Sequence, residues 1–137
     1  MTATCLVGEA DPFLARLLER FGEASGLTMV RAKAGQDLLL LARTLRPDVI
    51  IVEAELPGTL RGWEAIRAVK SEAALAHIPV ITCSWLTQAE ARDLTGDAVA
   101  HLQKPDLHYA DFTKALTSAG IDRLSRPAVA SGDYGAT

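Results

Sequence analysis

Cysteine and histidine are scarce in this 137-residue chain, with two of the first and three of the second. Cys5 and Cys83 lie far apart and inside apolar runs, which argues against a disulfide or metal framework and for two small buried hydrophobes. His77, His101 and His108 show no metal-ligand spacing. Long apolar runs are missing as well. No stretch approaches membrane-spanning length, and the start lacks the basic segment and apolar core of a secretory signal. Nor is there an excess of positive charge: the formal net charge is -3 and the pI about 5.6. Such a surface repels phosphate backbones and anionic lipid, so neither nucleic acid nor membrane is an expected partner. These absences leave a reduced, cytoplasmic globular protein as the expectation, and the starting Met favours a stand-alone chain over an excerpt.

What is present is ordinary in amount and ordered in pattern. Hydrophobic residues make up 49% and charged residues 23%, both typical of a globular domain. The length favours one domain, large enough to bury roughly two-thirds of its unfolded surface. Apolar runs at 3–7, 27–32, 48–53, 79–84 and 98–103 alternate with amphipathic stretches, the pattern of βα units on a parallel sheet. CLV, DVIIV and PVITC are apolar without alternation, as strands covered on both faces are, so they are expected at the centre. The runs 27–32 and 98–103 are more polar and are expected at the edges.

The helices carry start and stop signals. Asp11 before Pro12 is an N-cap followed by proline at the first helical position. Leu14, Leu17, Leu18 and Phe21 then share one face; Leu38, Leu41 and Leu45 mark a second helix stopped by Pro47. Ile66 and Val69 mark a third. Thr87 to Glu90 has capping-box spacing for a short fourth helix. Tyr109, Phe112 and Leu116 form the stripe of a fifth, which Gly120 ends. Residues 1–120 thus form one domain. Beyond it the periodicity is lost, and the small, polar stretch 121–137 is expected to be a disordered tail.

In a doubly wound sheet, functional groups gather beyond the carboxyl ends of the strands. Those positions hold Glu9 and Asp11 after the first strand, Glu53 at the end of the third, Ser84 at the end of the fourth, and Lys104-Pro105 after the fifth. Acids, a hydroxyl and a lysine therefore converge on one edge.

The ordered set GEADP, PDVIIVEAELPG, IPVITCS and HLQKP resembles the response-regulator receiver family over roughly residues 3 to 120. The resemblance implies a flavodoxin-like, doubly wound (βα)5 fold with five parallel strands in the order 2-1-3-4-5, and a role in two-component phosphorelay signalling rather than catalysis. In that family an acidic pair after the first strand binds Mg²⁺. An Asp ending the third strand accepts a phosphoryl group, a Ser or Thr ends the fourth, and a Lys precedes proline after the fifth. Glu9 falls on the first acid of the pair and Ala10 on the second, with Asp11 next. Glu53 falls on the acceptor, Ser84 on the hydroxyl, Lys104 on the lysine, and His101 on an aromatic switch position. Leu56-Pro57-Gly58 matches the turn after the third strand, with about one residue more than usual before Gly62. Trp85 stands where the family commonly has a small residue.

The departures bear on chemistry. Phosphoryl transfer needs an in-line carboxylate oxygen and a metal to neutralise the equatorial oxygens. Ala10 removes a hard ligand from an ion that demands near-ideal octahedral geometry. Glu53 displaces its oxygens by about an ångström, and misplacement on that scale costs on the order of 100-fold in rate. The expectation is therefore a pseudo-receiver acting through protein contacts, without a cofactor and with Mg²⁺ disfavoured; Glu9 and Glu53 are only weak metal candidates. Its partner would be a sensor kinase or another signalling protein, met on the face of helix 4, strand 5 and helix 5, with a homodimer as a further arrangement. A receiver still phosphorylated weakly with Mg²⁺ is the alternative. A flavin or nucleotide binder of the same fold is disfavoured, because GEADPF lacks a Gly/Ser/Thr-rich phosphate cradle.

Several residues carry two readings each. A Glu53–Lys104 ion pair either holds one conformational state or is a remnant without consequence. Asp11 reads as a helix cap before a metal ligand, and Glu9 as a solvated strand-end carboxylate before a cation ligand shared with Glu53. Ser84 either donates to an anion or satisfies local backbone. Trp85 closes over the pocket, packs under the next loop, or meets a partner. His101 reads as a half-buried imidazole on an edge strand before a pH switch.

Overall fold

The computed structural model describes residues 2–121; the expected tail lies, but for its first residue, outside them. Five strands and five helices alternate: β1 Thr4–Gly8, α1 Pro12–Ala24, β2 Thr28–Ala32, α2 Gly35–Leu45, β3 Val49–Val52, α3 Gly62–Ser71, β4 Val80–Ser84, α4 Gln88–Thr95, β5 Ala100–Gln103 and α5 Tyr109–Ser118. All pairings are parallel and the strand order is β2-β1-β3-β4-β5. The three runs without alternation are the central strands, since each meets helices on both faces. Residues of β3 alternate between two cores. Ile50 and Val52 join Leu6, Leu38, Ile66 and Val69 under α2 and α3. Ile51 joins Val7, Leu18, Cys83, Phe112 and Leu116 under α1 and α5.

Local chemistry sets the helix limits. The Asp11 carboxylate accepts from the Phe13 and Leu14 amides at 2.8 and 3.1 Å, and Pro12 follows where no amide proton is needed. Thr87 and Glu90 close a reciprocal capping box at 2.8 and 3.1 Å. The carboxyl end of α4 is tied to α3: the Arg67 guanidinium donates to the Leu94 and Asp93 carbonyls, and the Lys70 ammonium to those of Thr95 and Asp97. Cations at a helix C-terminus satisfy orphan carbonyls and complement the helix dipole.

One expected helix face shifts. Leu38 is buried in α2, but its buried partner one turn on is Ala42; Leu41 is half-buried and Leu45 is 40% exposed. Four consecutive leucines, 38 to 41, cover more than one face of a helix, so their spacing hides the inward stripe. In α5, Phe112 is core, while Tyr109 is half-buried, stacks obliquely on Phe21 and pairs its hydroxyl with Ser25 Oγ at 3.1 Å. Cys5 and Cys83 are free and buried. Among the described residues no helix is long and apolar enough to cross a membrane.

Candidate functional site

The parallel sheet delivers Glu9, Glu53, Ser84 and Lys104 to one edge because each follows or ends a neighbouring strand. β1 lies between β2 and β3, so the loop carrying Glu9 stands beside the end of β3, and the Glu53 amide donates to the Gly8 carbonyl at 2.9 Å. The Lys104 amide donates to the Ser84 carbonyl at 2.8 Å, which brings the lysine stem in from the β5 side. Gly62 lets the start of α3 approach this edge: a Cβ there would run into the Glu53 carbonyl oxygen and Leu56.

The result is a closed cluster of three charges. Lys104 Nζ lies 2.7 Å from Glu53 Oε1 and 2.7 Å from Glu9 Oε1. The bond to Glu53 is well directed; Glu9 Oε1 is enclosed and makes the ion pair without an aligned hydrogen bond. The outer oxygens are taken by backbone: Glu53 Oε2 accepts from the Glu55 amide and Glu9 Oε2 from the Asp11 amide, each at 3.0 Å. All three residues are at least 94% buried. Burial alone would lower the Lys104 pKa, but the hydrogen bond to Glu53, the close contact with Glu9 and the charges of both outweigh it and raise the ammonium above its ordinary value. Close by, burial pushes the Cys83 thiol up to about 12, which makes it a poor nucleophile.

Glu9 is thus not the solvated strand-end carboxylate that its position suggested. Its cation is the lysine of its own chain, and sequence distance concealed the match. Asp11 does not join the pocket: it is exposed, and its carboxylate caps α1. Ala10 is exposed and brings no oxygen ligand. The Ser84 hydroxyl is fully buried and accepts from the Leu86 amide at 3.1 Å. Trp85 is 59% exposed, so most of its ring is not packed under the next loop.

His101 is half-buried on the edge strand β5. Its Nε2 is 3.0 Å from the Leu86 carbonyl and its Nδ1 is 2.7 Å from Thr82 Oγ1. A carbonyl only accepts, so Nε2 carries the proton and, in the neutral ring, Nδ1 accepts from the threonine hydroxyl. Thr82 and Gln103 are the residues that motif reading passes over. Thr82 is the register partner of His101 across β4 and β5. The Gln103 amide nitrogen donates to the carbonyls of Ser84, Trp85 and Lys104 at 3.2, 3.0 and 3.3 Å, tying the two strand ends together. Only strand pairing could have revealed either role.

The sequence matches the response regulator receiver domain family over residues 5–116. It is 33% identical over 107 residues to the polar-differentiation response regulator DivK of Brucella ovis, covering 77% of this chain and 86% of that protein. Among solved structures, the fold superposes on the Vibrio cholerae chemotaxis response regulator CheY4 with a TM-score of 0.77 at 21% identity, covering 87% of this chain and 99% of that one. It also superposes on the receiver domain of the sensor histidine kinase PA1611 from Pseudomonas aeruginosa, whose structure has a magnesium ion coordinated in the active site cleft; the TM-score is 0.78 at 20% identity, covering 88% of this chain and 99% of that one. The five-stranded order, the residues at the strand ends and these similarities agree: this chain belongs to the response-regulator receiver family of two-component signalling.

Proposed function

We propose that this receiver signals through protein contacts in a state set by its own Glu53–Lys104–Glu9 cluster, without phosphoryl transfer to Glu53. The observation that carries the reading is that the group at the acceptor position is already engaged. One Glu53 oxygen meets an ammonium at 2.7 Å and the other an amide at 3.0 Å, with 6% of the residue exposed. An attacking carboxylate needs a free oxygen in line with the donor phosphorus, and here whichever oxygen attacks would first have to be released from its partner.

Magnesium suits these residues poorly. The two carboxylates that face each other, Glu9 and Glu53, already share a cation in Lys104. Ala10 supplies no donor, and Asp11 is committed to its helix. Among the described residues no group of three or more His, Cys, Asp or Glu side chains is gathered as metal ligands would be. A small, reluctantly dehydrated ion would have to displace a buried ammonium and then draw its remaining ligands from water.

In this reading the chain is a cytoplasmic interaction module and not an enzyme. The face of α4, β5 and α5 meets a sensor kinase or another signalling protein, and Ser84, His101 and Lys104 link that face to the cluster. The test is incubation with a small acyl-phosphate donor and Mg²⁺, read by intact mass. An unchanged mass supports the proposal; a phosphoryl adduct mapped to Glu53 would overturn it in favour of a weakly phosphorylated receiver. The set-state part is tested separately by Glu53→Ala. Amide shifts through β5 and α4 are expected, and a spectrum altered only beside residue 53 would reduce the cluster to a remnant.

A further inference from the structure

A second feature lies along the outer side of β2, the lateral strand at the other side of the sheet from β5. β2 pairs only with β1 among the described residues, so its outer side offers unpaired backbone N–H and C=O groups. Beside it is a cavity of about 360 Å³ lined by Arg31, Ala32, Lys33, Asp37, Leu40 and Leu41. Leu40 is 60% exposed, although it sits on a helix that packs against the sheet. Arg31 Nε is buried without a hydrogen-bond partner, and Lys33 is exposed and free of any ion pair among the described residues. Two cations without an ion pair among the described residues thus line a cavity with Leu40 and Leu41, on a chain whose net charge is -3. A buried guanidinium nitrogen left without an acceptor is costly, because its lost hydration is not repaid.

We infer that the β2–α2 edge is a docking site for an extended segment of a partner protein in which apolar and acidic side chains alternate. Side chains of an added strand point alternately to the two faces of the sheet. Along β2, Val30 and Ala32 belong to the α2 side and Met29 to the α1 side, which puts Arg31 in register with Met29. Apolar side chains of the incoming segment would meet Leu40 and Leu41 on the α2 side. Carboxylates at the intervening positions would turn toward the part-exposed Arg31 guanidinium, with Lys33 adding charge at the rim. Asp37, at the first turn of α2, repels an acidic segment, but it is one anion against the two cations Arg31 and Lys33. The site also adjoins the charged cluster: the Ala32 carbonyl accepts from the Glu9 amide at 3.1 Å. This inference does not depend on whether Glu53 accepts phosphate.

The probe is a blocked peptide of alternating Leu and Glu, six residues long, titrated into the full chain and followed by amide chemical shifts. Shifts concentrated at 28–33 and in α2 are expected, together with little response to the matching Leu/Lys peptide. Arg31→Gln combined with Lys33→Gln is expected to weaken binding roughly tenfold, equivalent to about 1.4 kcal/mol. Leu40→Asp should weaken it as well, with the unfolded fraction checked by circular dichroism. Equal binding of both peptides, shifts elsewhere on the surface, or no loss in the double variant would overturn the proposal. So would concentration-dependent self-association abolished by Leu40→Asp, because the occupant would then be a second copy of this chain.

Discussion

Two ion pairs in this molecule have almost the same length and very different settings. Arg43 grips Glu72 from α2 to the end of α3 with a shortest distance of 2.6 Å, on side chains 54% and 32% exposed. Lys104 holds Glu53 and Glu9 at 2.7 Å with all three side chains at most 8% exposed. In the first, solvent and salt compete with the contact, so a good distance carries little energy. In the second no water replaces a missing partner, and loss of one charge leaves another stranded. Distance alone therefore says little about weight; enclosure decides it.

The sharpest way to break that comparison is Lys104→Met. It leaves Glu9 and Glu53 facing each other without a cation, and a loss of about 3–5 kcal/mol is expected in denaturant unfolding. Labelling of Cys83 by a thiol reagent should accelerate in step, because the buried thiol reacts only when this edge opens. Glu53→Gln should cost less, about 1–3 kcal/mol, because Lys104 and Glu9 remain as a balanced pair. Raised pH provides a reversible version. The folded-state pKa of Lys104 lies above its ordinary 10.5, so the ammonium's contribution is fully present below that value. It is lost as pH climbs through the higher folded value, and the gap between wild type and Lys104→Met should narrow there. Asp11→Ala, which removes only a helix cap, should cost about 1 kcal/mol and leave the cluster's response to pH intact. Smallest of all, Arg43→Ala should shift the midpoint barely beyond measurement error, and that shift should vanish in high salt, whereas the Lys104 effect should persist.

The fold was largely legible before the structure, and particular residues show why. VIIV and VITC lack alternation because both faces of β3 and β4 are covered, and burial on two sides is a property that a run of side chains displays directly. Asp11-Pro12 and Thr87–Glu90 encode their helix starts through bonds spanning only two or three residues. The leucines of α2 were harder, since a continuous run offers no period and the inward face had to be chosen by the sheet. At the site, the residue types at 9, 53, 84 and 104 were readable, and so was a Glu53–Lys104 ion pair; that Glu9 shares the same ammonium was not. Nothing local to Glu9 indicates that its carboxylate is sealed against a lysine near the far end of the domain.

What the chain determined unaided was the order of its elements, the ends of its helices and the chemical groups brought to one sheet edge, because these follow from periodicity and short-range bonding. The tertiary structure alone decided that a single ammonium serves two glutamates, that Thr82 and Gln103 hold His101 and the strand ends, and that Arg31 Nε is buried without an acceptor among the described residues. Those outcomes depend on which strands lie side by side and on how much water remains between them, and neither is written in any contiguous stretch of sequence.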